Sequence, residues 1–308
     1  MTMPELCVGE RRWTVPTGSN LLDALNDAGL NVPYSCRAGS CHACLVHCLD
    51  GQPADAMPEA LALEKHAQGW RLACQCRVID DLRVAVFDPL QDGIPAQVCA
   101  LDWSGDVLRL RLRPERALRY QAGQHVVLWN GPVARPYSLA SLPGEDEFLE
   151  FHIDCQRPGA FCDKARGLQV GDTLRLGELR GGALYYDLDW QAQALWLLAA
   201  GTGLAPLWGI LREALRQGHR GEIRVMHVAH DNAGHYLAEP LMHIEGVSVE
   251  QVLADQLDAA LATLRPSSRQ TIALVCGSPG SVERFARRLF IAGVPRNQVF
   301  ADVFVEHA

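Results

Sequence analysis

The spacing of hydrophobic positions changes twice along this chain, which divides it into three regions with different predicted elements. In the first region, residues 12–15 alternate between polar and apolar side chains, as a β-strand does. Residues 21–28 then place apolar side chains on one face of a predicted helix, with Ser19 and Asn20 suited to cap its start and Gly29 to end it. The other predicted elements of this region are a strand over 45–49, a helix over 58–66 and a strand over 82–86.

The second region, from about residue 91, consists of short β-like runs at close spacing. These runs cover residues 96–101, 107–112, 124–129, 137–140 and 148–153. Turn-forming residues separate them, and residues 88–95 are rich in proline, glycine and aspartate. The pattern predicts a linker followed by a small antiparallel barrel.

The third region, from about residue 191, combines longer apolar runs with helix-like stretches. Predicted strands cover 195–200, 222–229, 271–275 and 299–305, and predicted helices cover 207–217 and 281–292. Residues 195–200 are apolar without interruption, which is typical of a strand that is buried on both faces of a parallel sheet. The region is therefore predicted to be an open parallel α/β domain.

Length and composition limit the classes of protein to which the chain can belong. At 308 residues it is long enough for two or three domains, and 48% hydrophobic with 21% charged residues is typical of a water-soluble globular protein. The net charge of −8 argues against nucleic acid as a partner. The longest apolar stretch, residues 194–207, is short and is interrupted by glycines and Pro206, so no membrane-spanning helix is predicted.

The N-terminal sequence and the eleven cysteines indicate the compartment. Residues 1–5 lack the basic region and apolar stretch of a signal peptide. Cysteines without such a signal indicate reduced thiols and metal ligands, since disulfide scaffolds belong to oxidising compartments. We therefore expect a cytoplasmic protein.

Four of the cysteines have a spacing that predicts a metal cluster. Cys36, Cys41 and Cys44 follow a C-x4-C-x2-C pattern, and 29 residues separate Cys44 from Cys74. Two bridged irons need four thiolates in one small volume, of which a tight loop supplies three and a distant part of the fold the fourth. Gly39 permits backbone conformations in which amide N–H groups turn toward cluster sulfur. The spacing is that of plant-type 2Fe–2S ferredoxins.

Three other interpretations of these cysteines stay open at this point. Zinc usually takes cysteine pairs or a cysteine and histidine set at shorter spacings, and His42 or His47 is available for such a set. Any four cysteines are able to form a disulfide framework, and chance clustering is the third alternative. The agreement of three fixed spacings favours the iron–sulfur cluster.

One strand of the second region carries side chains that suit a flavin. In Arg135-Pro136-Tyr137-Ser138, alternation places Arg135 and Tyr137 on one face. Arg135 offers a guanidinium fork for a phosphate, and Tyr137 offers a flat ring for an isoalloxazine. Ser138 is able to donate a hydrogen bond to a flavin nitrogen. An arginine beside a tyrosine is also common on ordinary protein surfaces.

A second segment of this region suits a pyrophosphate. Residues 159–163 read Gly-Ala-Phe-Cys-Asp and precede a short predicted helix that reaches Arg166. A helix N-terminus with exposed N–H groups attracts phosphate. We therefore expect Gly159, Phe161 and Cys162 to contact the same cofactor.

The third region begins with a strand, a glycine turn and a helix in succession. Gly201-Thr202-Gly203 follows the strand over 195–200 directly. Gly201 and Gly203 let the backbone approach phosphates, and Thr202 adds a hydroxyl. The turn is not G-x-G-x-x-G, and a glycine turn that serves only helix–strand packing is the alternative.

The end of the next strand, 222–229, predicts the choice of nucleotide. In open α/β sheets this strand end faces the adenosine ribose. Residues 230–236 contain no Arg or Lys to bind a 2′-phosphate, and Asp231 would repel one. NADH is therefore favoured over NADPH, although His230 or His235 would weaken that preference if protonated.

The first region resembles the β-grasp ferredoxin module. Two segments resemble that family's sequence motifs: residues 34–39, Tyr-Ser-Cys-Arg-Ala-Gly, and residues 72–76, Leu-Ala-Cys-Gln-Cys. The resemblance implies that Cys36 and Cys41 hold the outer iron of a 2Fe–2S cluster, and that Cys44 and Cys74 hold the inner one. His42 stands where the family usually has glycine, and it either faces solvent or donates a hydrogen bond near the cluster.

The second region resembles the flavin domain of ferredoxin–NAD(P) reductases, in which an R-x-Y-[ST] motif binds FAD. The resemblance implies a six-stranded antiparallel barrel and assigns that role to Arg135, Tyr137 and Ser138. Three positions depart from the family: Cys162 where Ser or Thr is usual, Asp154 where Arg or Lys is common, and 177–181 in place of a Gly-Pro-x-Gly turn.

The third region resembles the nicotinamide domain of the same family. Cys276-Gly277-Ser278-Pro279 matches its C-G-x-P motif, whose cysteine lies close to the nicotinamide C4, although a structural free cysteine is the alternative. Asp302 and Phe304 match the terminal E-x-F pattern with Asp in place of Glu. The resemblance implies an acid near the flavin N5 and a ring that shields the flavin.

Taken in order, residues 1–90, 91–190 and 191–308 are similar to the ferredoxin, FAD and NAD domains of reductase components of multicomponent bacterial oxygenases. Phthalate-type reductases carry the ferredoxin last and use FMN, so this order favours FAD. The resemblance implies hydride transfer from NADH at Ser138, Cys276, Asp302 and Phe304, and single-electron delivery to a separate oxygenase or intermediate ferredoxin. A dehydratase partner and a redox-sensing protein without sustained turnover are the alternatives, and a relay within one chain permits a monomer.

Overall fold

The computed structural model describes residues 3–304, and its strands there form four sheets. The elements of the N-terminal part are β1 (Glu5–Val8), β2 (Arg11–Thr14), β3 (Ser19–Asn20), α1 (Leu21–Asp27), β4 (Leu45–Asp50), β5 (Ala54–Asp55), α2 (Leu63–Ala67), β6 (Trp70–Leu72), β7 (Cys76–Val78) and β8 (Leu82–Val86). A five-stranded sheet has the order β2-β1-β8-β4-β6, and a small sheet has the order β3-β7-β5. This part of the chain has the predicted ferredoxin-like character of strands wrapped around one helix.

Helix α1 packs on the five-stranded sheet because its apolar face is continuous. The predicted cap is confirmed, since the side chain of Asn20 accepts a hydrogen bond from the Asp23 N–H at 3.2 Å. Leu21 and Leu25 are fully buried in the core of this part of the chain. The burial of two leucines fixes the face of the helix toward the sheet.

The predicted helix over 58–66 is wrong. The chain forms a 3₁₀ turn at Pro58–Ala60, becomes extended at Leu61 and then forms the short helix α2. The extended backbone lets Leu61 reach the core, whereas Leu63 stays 90% exposed. Burial of one apolar side chain therefore decides the break, which helix propensity alone does not reveal.

The middle of the chain forms a curled six-stranded antiparallel sheet. Its elements are β9 (Ile94–Ser104), β10 (Val107–Pro114), β11 (His125–Asn130), β12 (Val133–Ser138), β13 (Leu149–Asp154), α3 (Ala160–Ala165) and β14 (Thr173–Arg180). The strand order is β12-β11-β14-β9-β10-β13. The sheet is a half-barrel with β12 and β13 at its ends, and Leu139, which follows β12, bridges to Phe151 of β13. The prediction had not assigned β14, and residues 177–180 belong to that strand.

The C-terminal part forms a five-stranded parallel sheet. Its elements are β15 (Leu195–Ala200), α4 (Leu204–Arg216), β16 (Ile223–Ala229), α5 (Ala238–Met242), β17 (Val247–Leu253), α6 (Leu257–Thr263), β18 (Ile272–Gly277), α7 (Pro279–Ile291) and β19 (Val299–Val303). The strand order is β17-β16-β15-β18-β19 and every pairing is parallel. The predicted α/β class is confirmed, although β17, α5 and α6 were not predicted. Val305, the predicted end of the last strand, lies outside the described residues.

The chain divides into two compact units. The first unit comprises the residues through Ile94 together with Val127–Pro136 and Arg175–Arg180. The second unit comprises Pro95–Val126, Tyr137–Leu174 and the residues from Gly181 onward. Among the described residues, no helix combines the length and apolar character that a membrane crossing requires.

Candidate functional site

The predicted outer pair of cysteines is held by reciprocal backbone hydrogen bonds. The Cys41 N–H donates to Cys36 Sγ at 3.3 Å, and the Cys36 N–H donates to Cys41 Sγ at 3.4 Å. The Ala38 N–H is a further donor to Cys36 Sγ at 3.3 Å. Amide donors that converge on sulfur stabilise negative charge there, as a thiolate ligand requires.

Cys74 reaches the loop from a 3₁₀ turn between β6 and β7. The Ala73 N–H donates to the Cys44 carbonyl at 3.0 Å, which brings the turn beside the loop. The Gln75 side-chain amide donates to Cys74 Sγ at 3.2 Å, and the Asn20 amide donates to the Cys74 carbonyl at 2.9 Å. Asn20, the cap of α1, therefore also fixes the distant cysteine.

The four predicted ligands form two thiol pairs. Hydrogen bonding to the Cys41 thiol lowers the pKa of Cys36 to about 4, and hydrogen bonding to the Cys44 thiol lowers the pKa of Cys74 to about 6. Over residues 3–304, no three His, Cys, Asp or Glu side chains are grouped to hold a single metal ion. Two thiol pairs, in each of which one cysteine has a lowered pKa, fit a cluster with two irons, each of which takes two protein sulfurs.

The loop backbone turns sharply at three residues. Arg37, Gly39 and His42 have φ values of 50°, 80° and 54°, in the left-handed region. A Cβ on Gly39 would lie 3.3 Å from Met57 Sδ, so the space there is limited as well. His42 adopts a conformation that favours glycine, which explains why glycine is usual at this position.

His42 is half-buried, and its role near the cluster stays a prediction. Together with Trp70, Phe87 and Trp129 it lines a cavity of about 20 Å³. This volume suits one water molecule. Among the residues that the structure describes, none accepts a hydrogen bond from the buried indole Nε1 of Trp129, so this edge of the cavity is polar.

Within the first unit, the cysteine loop packs against β11 and β12. Ala43 is buried in one cluster with Val127, Trp129 and Ala134, and Cys41 packs on its edge. Phe87 stacks on Trp129 with 5.6 Å between ring centroids. Sequence reasoning missed these aromatic residues because no motif marks them.

The predicted flavin residues lie on β12 and α3. Tyr137 packs against Phe161 with ring centroids 4.9 Å apart, which brings together two residues that are 24 positions apart in the sequence. The Arg135 guanidinium donates to the Ala134 carbonyl at 2.8 Å, and Ser138 is 7% exposed. Aromatic rings and a hydroxyl are the groups that suit the flat, polar-edged isoalloxazine of a flavin, so these residues are compatible with the predicted role.

The segment around Cys162 is shaped by its neighbours. Gly159 has a φ of 179°, an extended conformation that any residue can adopt. Cys162 Sγ donates to the Asp154 carbonyl at 3.3 Å, and the Arg166 guanidinium donates to the Cys155 carbonyl. The departure at Cys162 therefore ties α3 to the end of β13, while its contact with a pyrophosphate stays a prediction.

Two glycine turns meet at the carboxyl ends of the neighbouring strands β15 and β18. A Cβ on Gly203 would lie 2.4 Å from the Cys276 carbonyl oxygen. A Cβ on Gly277 would lie 2.7 Å from the Ala200 Cβ, and Gly277 has a φ of 143°. Gly201, with a φ of 54°, begins the 3₁₀ turn that leads into α4. Only glycine permits this approach of two backbones. The two predicted roles of the turn, helix–strand packing and phosphate binding, are therefore compatible.

Cys276, Asp302 and Phe304 lie together beside this turn. Cys276 pairs with Asp302 across β18 and β19, and the Phe304 N–H donates to the Gly277 carbonyl at 2.8 Å. Cys276 is fully buried, and burial raises the pKa of its thiol well above the usual value. Cys276 therefore stays a neutral thiol that shapes the site, and no thiolate chemistry is expected of it.

Asp231 and His235 follow the end of β16. The Asp231 carboxylate accepts a hydrogen bond from the Gly234 N–H at 2.9 Å, which closes a turn. His235 is 7% exposed, and burial lowers its pKa. His235 therefore stays neutral and does not supply the positive charge that a 2′-phosphate would need.

Two family models match the chain. Residues 8–78 match a 2Fe-2S iron-sulfur cluster binding domain, and residues 98–183 match an oxidoreductase FAD-binding domain. The reductase subunit of an aromatic O-demethylase from Amycolatopsis sp. is 31% identical over 90% of this chain and 91% of its own length. The chain belongs to the family of ferredoxin-reductase components of oxygenase systems.

Further relatives agree with this assignment. The reductase component 2 of terephthalate 1,2-dioxygenase from Comamonas sp. is 28% identical over 93% of this chain and 92% of its own length. The crystal structure of an Amycolatopsis cytochrome P450 reductase aligns with a TM-score of 0.65 and 27% identity over 98% of this chain and 99% of that one. The expected oxidoreductase class and two of the expected cofactors, a 2Fe–2S cluster and FAD, are thereby confirmed.

Proposed function

We propose that this reductase takes hydride from NADH and delivers single electrons to a separate oxygenase or to an intermediate ferredoxin. The two thiol pairs carry the proposal, because an enzyme that only moved hydride would need no one-electron carrier. A flavin bound to the FAD-binding domain would supply the exchange between paired and single electrons. Cys36 and Cys41 hold one iron in this proposal, and Cys44 and Cys74 hold the other.

The chain itself binds and orients the reacting groups. Tyr137 and Phe161 offer aromatic faces, and the buried Ser138 offers a hydroxyl that donates to a flavin nitrogen. Cys276 and Phe304 belong to one packed cluster, and in this proposal they lie where the nicotinamide would approach that ring. Because hydride transfer depends on distance and angle, these contacts set the rate and no protein general base is required.

The nucleotide preference rests on Asp231. Its carboxylate lies at the end of β16, and residues 230–236 contain no Arg or Lys. The neutral, buried His235 removes one cation that would have weakened the preference for NADH. The ratio of kcat/KM for NADH to that for NADPH tests this point, and Asp231→Asn should lower the ratio by about tenfold. A wild-type preference for NADPH would overturn it.

The acceptor in this proposal follows from the relatives, which are reductases of a demethylase and of a dioxygenase. Anaerobic NADH titration should bleach the flavin and cluster absorbance together, and NADH should reduce cytochrome c over many turnovers. Reduction that stops after stoichiometric transfer would instead indicate a redox sensor. Electron delivery to a dehydratase and not to an oxygenase would leave the reductase chemistry intact and would change the partner.

The proposal places this reductase in the cytoplasm as a monomer. One chain contains matches for the cluster and FAD domains and a candidate nucleotide turn at Gly201–Gly203, so no second copy is needed for electron transfer. Light scattering of the holoprotein tests the monomer, and a dimer at low protein concentration would contradict it.

A further inference from the structure

A buried polar network, outside the residues assigned above, lies on one face of β10 and β13 in the second unit. In the ladder, Arg109 pairs with His152 and Arg111 pairs with Glu150, so the four side chains share a face. The other face, with Leu108, Leu110 and Phe151 among its residues, is fully buried core. A half-barrel strand needs no such buried charges to fold, which raises the question of their role.

The hydrogen bonds of Glu150 fix the state of His152. The Glu150 carboxylate is bound by Arg109 at 3.1 Å and by Arg111, and His152 Nε2 lies 2.9 Å from the same carboxylate. Burial raises the pKa of Glu150, but its bonds to His152 and Arg111 outweigh this effect and lower that pKa to about 2. An ionised carboxylate only accepts hydrogen bonds, so His152 Nε2 carries a hydrogen and donates it.

Tyr236, in the segment that follows β16, completes a hydrogen-bond relay that runs from Tyr236 through His152 to Glu150. His152 is fully buried and burial lowers its pKa, so the ring is neutral and its Nδ1 accepts. Nδ1 lies 3.0 Å from the Tyr236 hydroxyl, whose pKa is raised by burial. The hydroxyl therefore donates to His152, and His152 donates to Glu150, in one fixed direction.

The same segment is attached at a second point. The Ser104 hydroxyl donates to the Ala233 carbonyl at 3.1 Å, at the turn between β9 and β10. A Cβ on Gly105 of that turn would lie 3.1 Å from the Ala233 Cβ. Asp231, the residue proposed to choose between nucleotides, belongs to this doubly anchored segment.

A neighbouring histidine links the network to the glycine turn. The Tyr236 ring packs edge-on against His227, with centroids 5.6 Å apart. His227 is fully buried, and its Nε2 lies 3.1 Å from the carbonyl oxygen of Gly201, to which it donates. His235 Nδ1 lies 3.4 Å from His227 Nδ1 and supplies the hydrogen of that contact.

We propose that Tyr236 and His152 are positioning residues for the pyridine nucleotide, because their hydrogen bond attaches the segment after β16 to the flavin-binding half-barrel. This inference rests on the proposed function, since it assumes that the nucleotide binds at the carboxyl ends of β15 and β16. The relay does not touch the reacting atoms. It holds the segment of residues 230–237, and thereby Asp231, in the place where the adenosine half would bind.

Tyr236→Phe tests the relay by removal of one hydroxyl. The KM for NADH and the Kd of NAD⁺ for the oxidised holoenzyme, measured by calorimetry, should each rise about tenfold. The kcat should change less than twofold, and the flavin and iron contents should stay constant. Unchanged KM and Kd in this variant would overturn the inference.

Two substitutions of His152 separate positioning from simple packing. His152→Asn keeps an acceptor near the Nδ1 position, whereas His152→Gln keeps a donor near the Nε2 position. The Asn variant should bind NAD⁺ at least threefold more tightly than the Gln variant. Equal binding by the two variants, with equal loss of stability, would show a packing role only and would overturn the inference.

Tyr186→Phe is the matched control. Tyr186 makes the same kind of bond, from its hydroxyl to His219 Nδ1 at 2.9 Å, in the same unit. This variant should leave the KM and the Kd within twofold of the wild type. If the wild type binds neither NADH nor NADPH, the proposed function fails; if it binds NAD⁺ and Tyr236→Phe binds it equally well, only the relay fails.

Discussion

The cysteine loop differs in construction from the carboxyl edge of β15 and β18, which we call the nucleotide edge because we propose that the nucleotide binds there. Three of the four predicted cluster ligands lie within the nine residues of the loop, from Cys36 to Cys44. The nucleotide edge brings together the turn after β15 and the end of β18, whose residues Gly203 and Cys276 are more than 70 positions apart. The first is a local arrangement of ligands, and the second is a tertiary arrangement of backbones.

This difference explains what a substitution should do in each region. In the loop, the chemical identity of a side chain matters, since only thiolate sulfur completes the cluster. At the nucleotide edge, the absence of a side chain matters, since the backbones touch. Each of the following predictions tests one side of this contrast, in order of expected effect.

Cys74→Ser tests whether the cysteine loop alone is sufficient to bind the cluster, and we expect this substitution to have the largest effect. Removal of the distant thiol should cost the cluster and reduce NADH-driven cytochrome c reduction by on the order of 100-fold. Direct reduction of ferricyanide by the flavin should persist, because the nucleotide edge is untouched. Iron and sulfide analysis checks the loss.

Cys7→Ser is the control for this prediction. Cys7 lies on β1, and its thiol donates a hydrogen bond to the Glu5 carboxylate at 3.4 Å. Loss of the cluster in this variant, or its retention in Cys74→Ser, would contradict the assignment of the ligands.

Gly203→Ala asks how much the contact of two backbones contributes. The added methyl would lie 2.4 Å from the Cys276 carbonyl oxygen, so the turn must shift. We expect a loss of about 3 kcal/mol in the free energy of unfolding and a clear rise in the KM for NADH. Urea unfolding followed by circular dichroism measures the first quantity.

Gly182→Ala is the matched substitution, because a methyl group there meets nothing within 4 Å. It should change the free energy of unfolding by less than about 0.5 kcal/mol. Similar losses for both alanine variants would show that the close approach at Gly203 is not the cause.

Acidification tests how much the buried, neutral His227 contributes to the stability of the protein. Burial lowers the pKa of His227 from 6.5 to about 3. Between these two pH values the unfolded chain binds a proton at His227 and the folded chain does not. The contribution of neutral His227 to the free energy of unfolding is fully present above pH 6.5 and is lost as the pH falls toward 3. From pH 7 to pH 5 this residue alone should cost about 2 kcal/mol of unfolding free energy.

His227→Gln checks the assignment of that pH dependence. The amide keeps a donor for the Gly201 carbonyl but does not titrate. Urea midpoints at pH 7 and pH 5 should therefore differ less for this variant than for the wild type. Equal differences would place the pH dependence elsewhere.

Arg37→Gln should have the smallest effect, although Arg37 lies inside the cysteine loop. Its ion pair with Asp23 joins side chains that are 48% and 46% exposed, so water screens it. We expect a change below about 1 kcal/mol in unfolding free energy and full retention of iron. Loss of the cluster would show that the loop depends on more than its thiols.

Prediction from sequence succeeded where a pattern is repeated over neighbouring residues. The parallel strands β15 and β18 and the cap at Asn20 follow from apolar runs and a local side-chain bond. It failed at Leu61, where one buried side chain breaks a helix, and at β14, which carries Gly177 within a strand. It also missed His152 and Tyr236, because 84 residues separate the two partners of that bond.

The sequence by itself determined the chemistry: cysteine spacing, the R-x-Y-S strand and the C-G-x-P turn identify a reductase before any coordinates are known. The tertiary structure alone decided which groups are neutral, which backbones touch and how the relay points. The physical reason is that ligand identity is a property of single residues, whereas burial and hydrogen-bond direction depend on neighbours that only folding brings together. His152 shows this, since its proton position follows from Glu150 on one side and Tyr236 on the other.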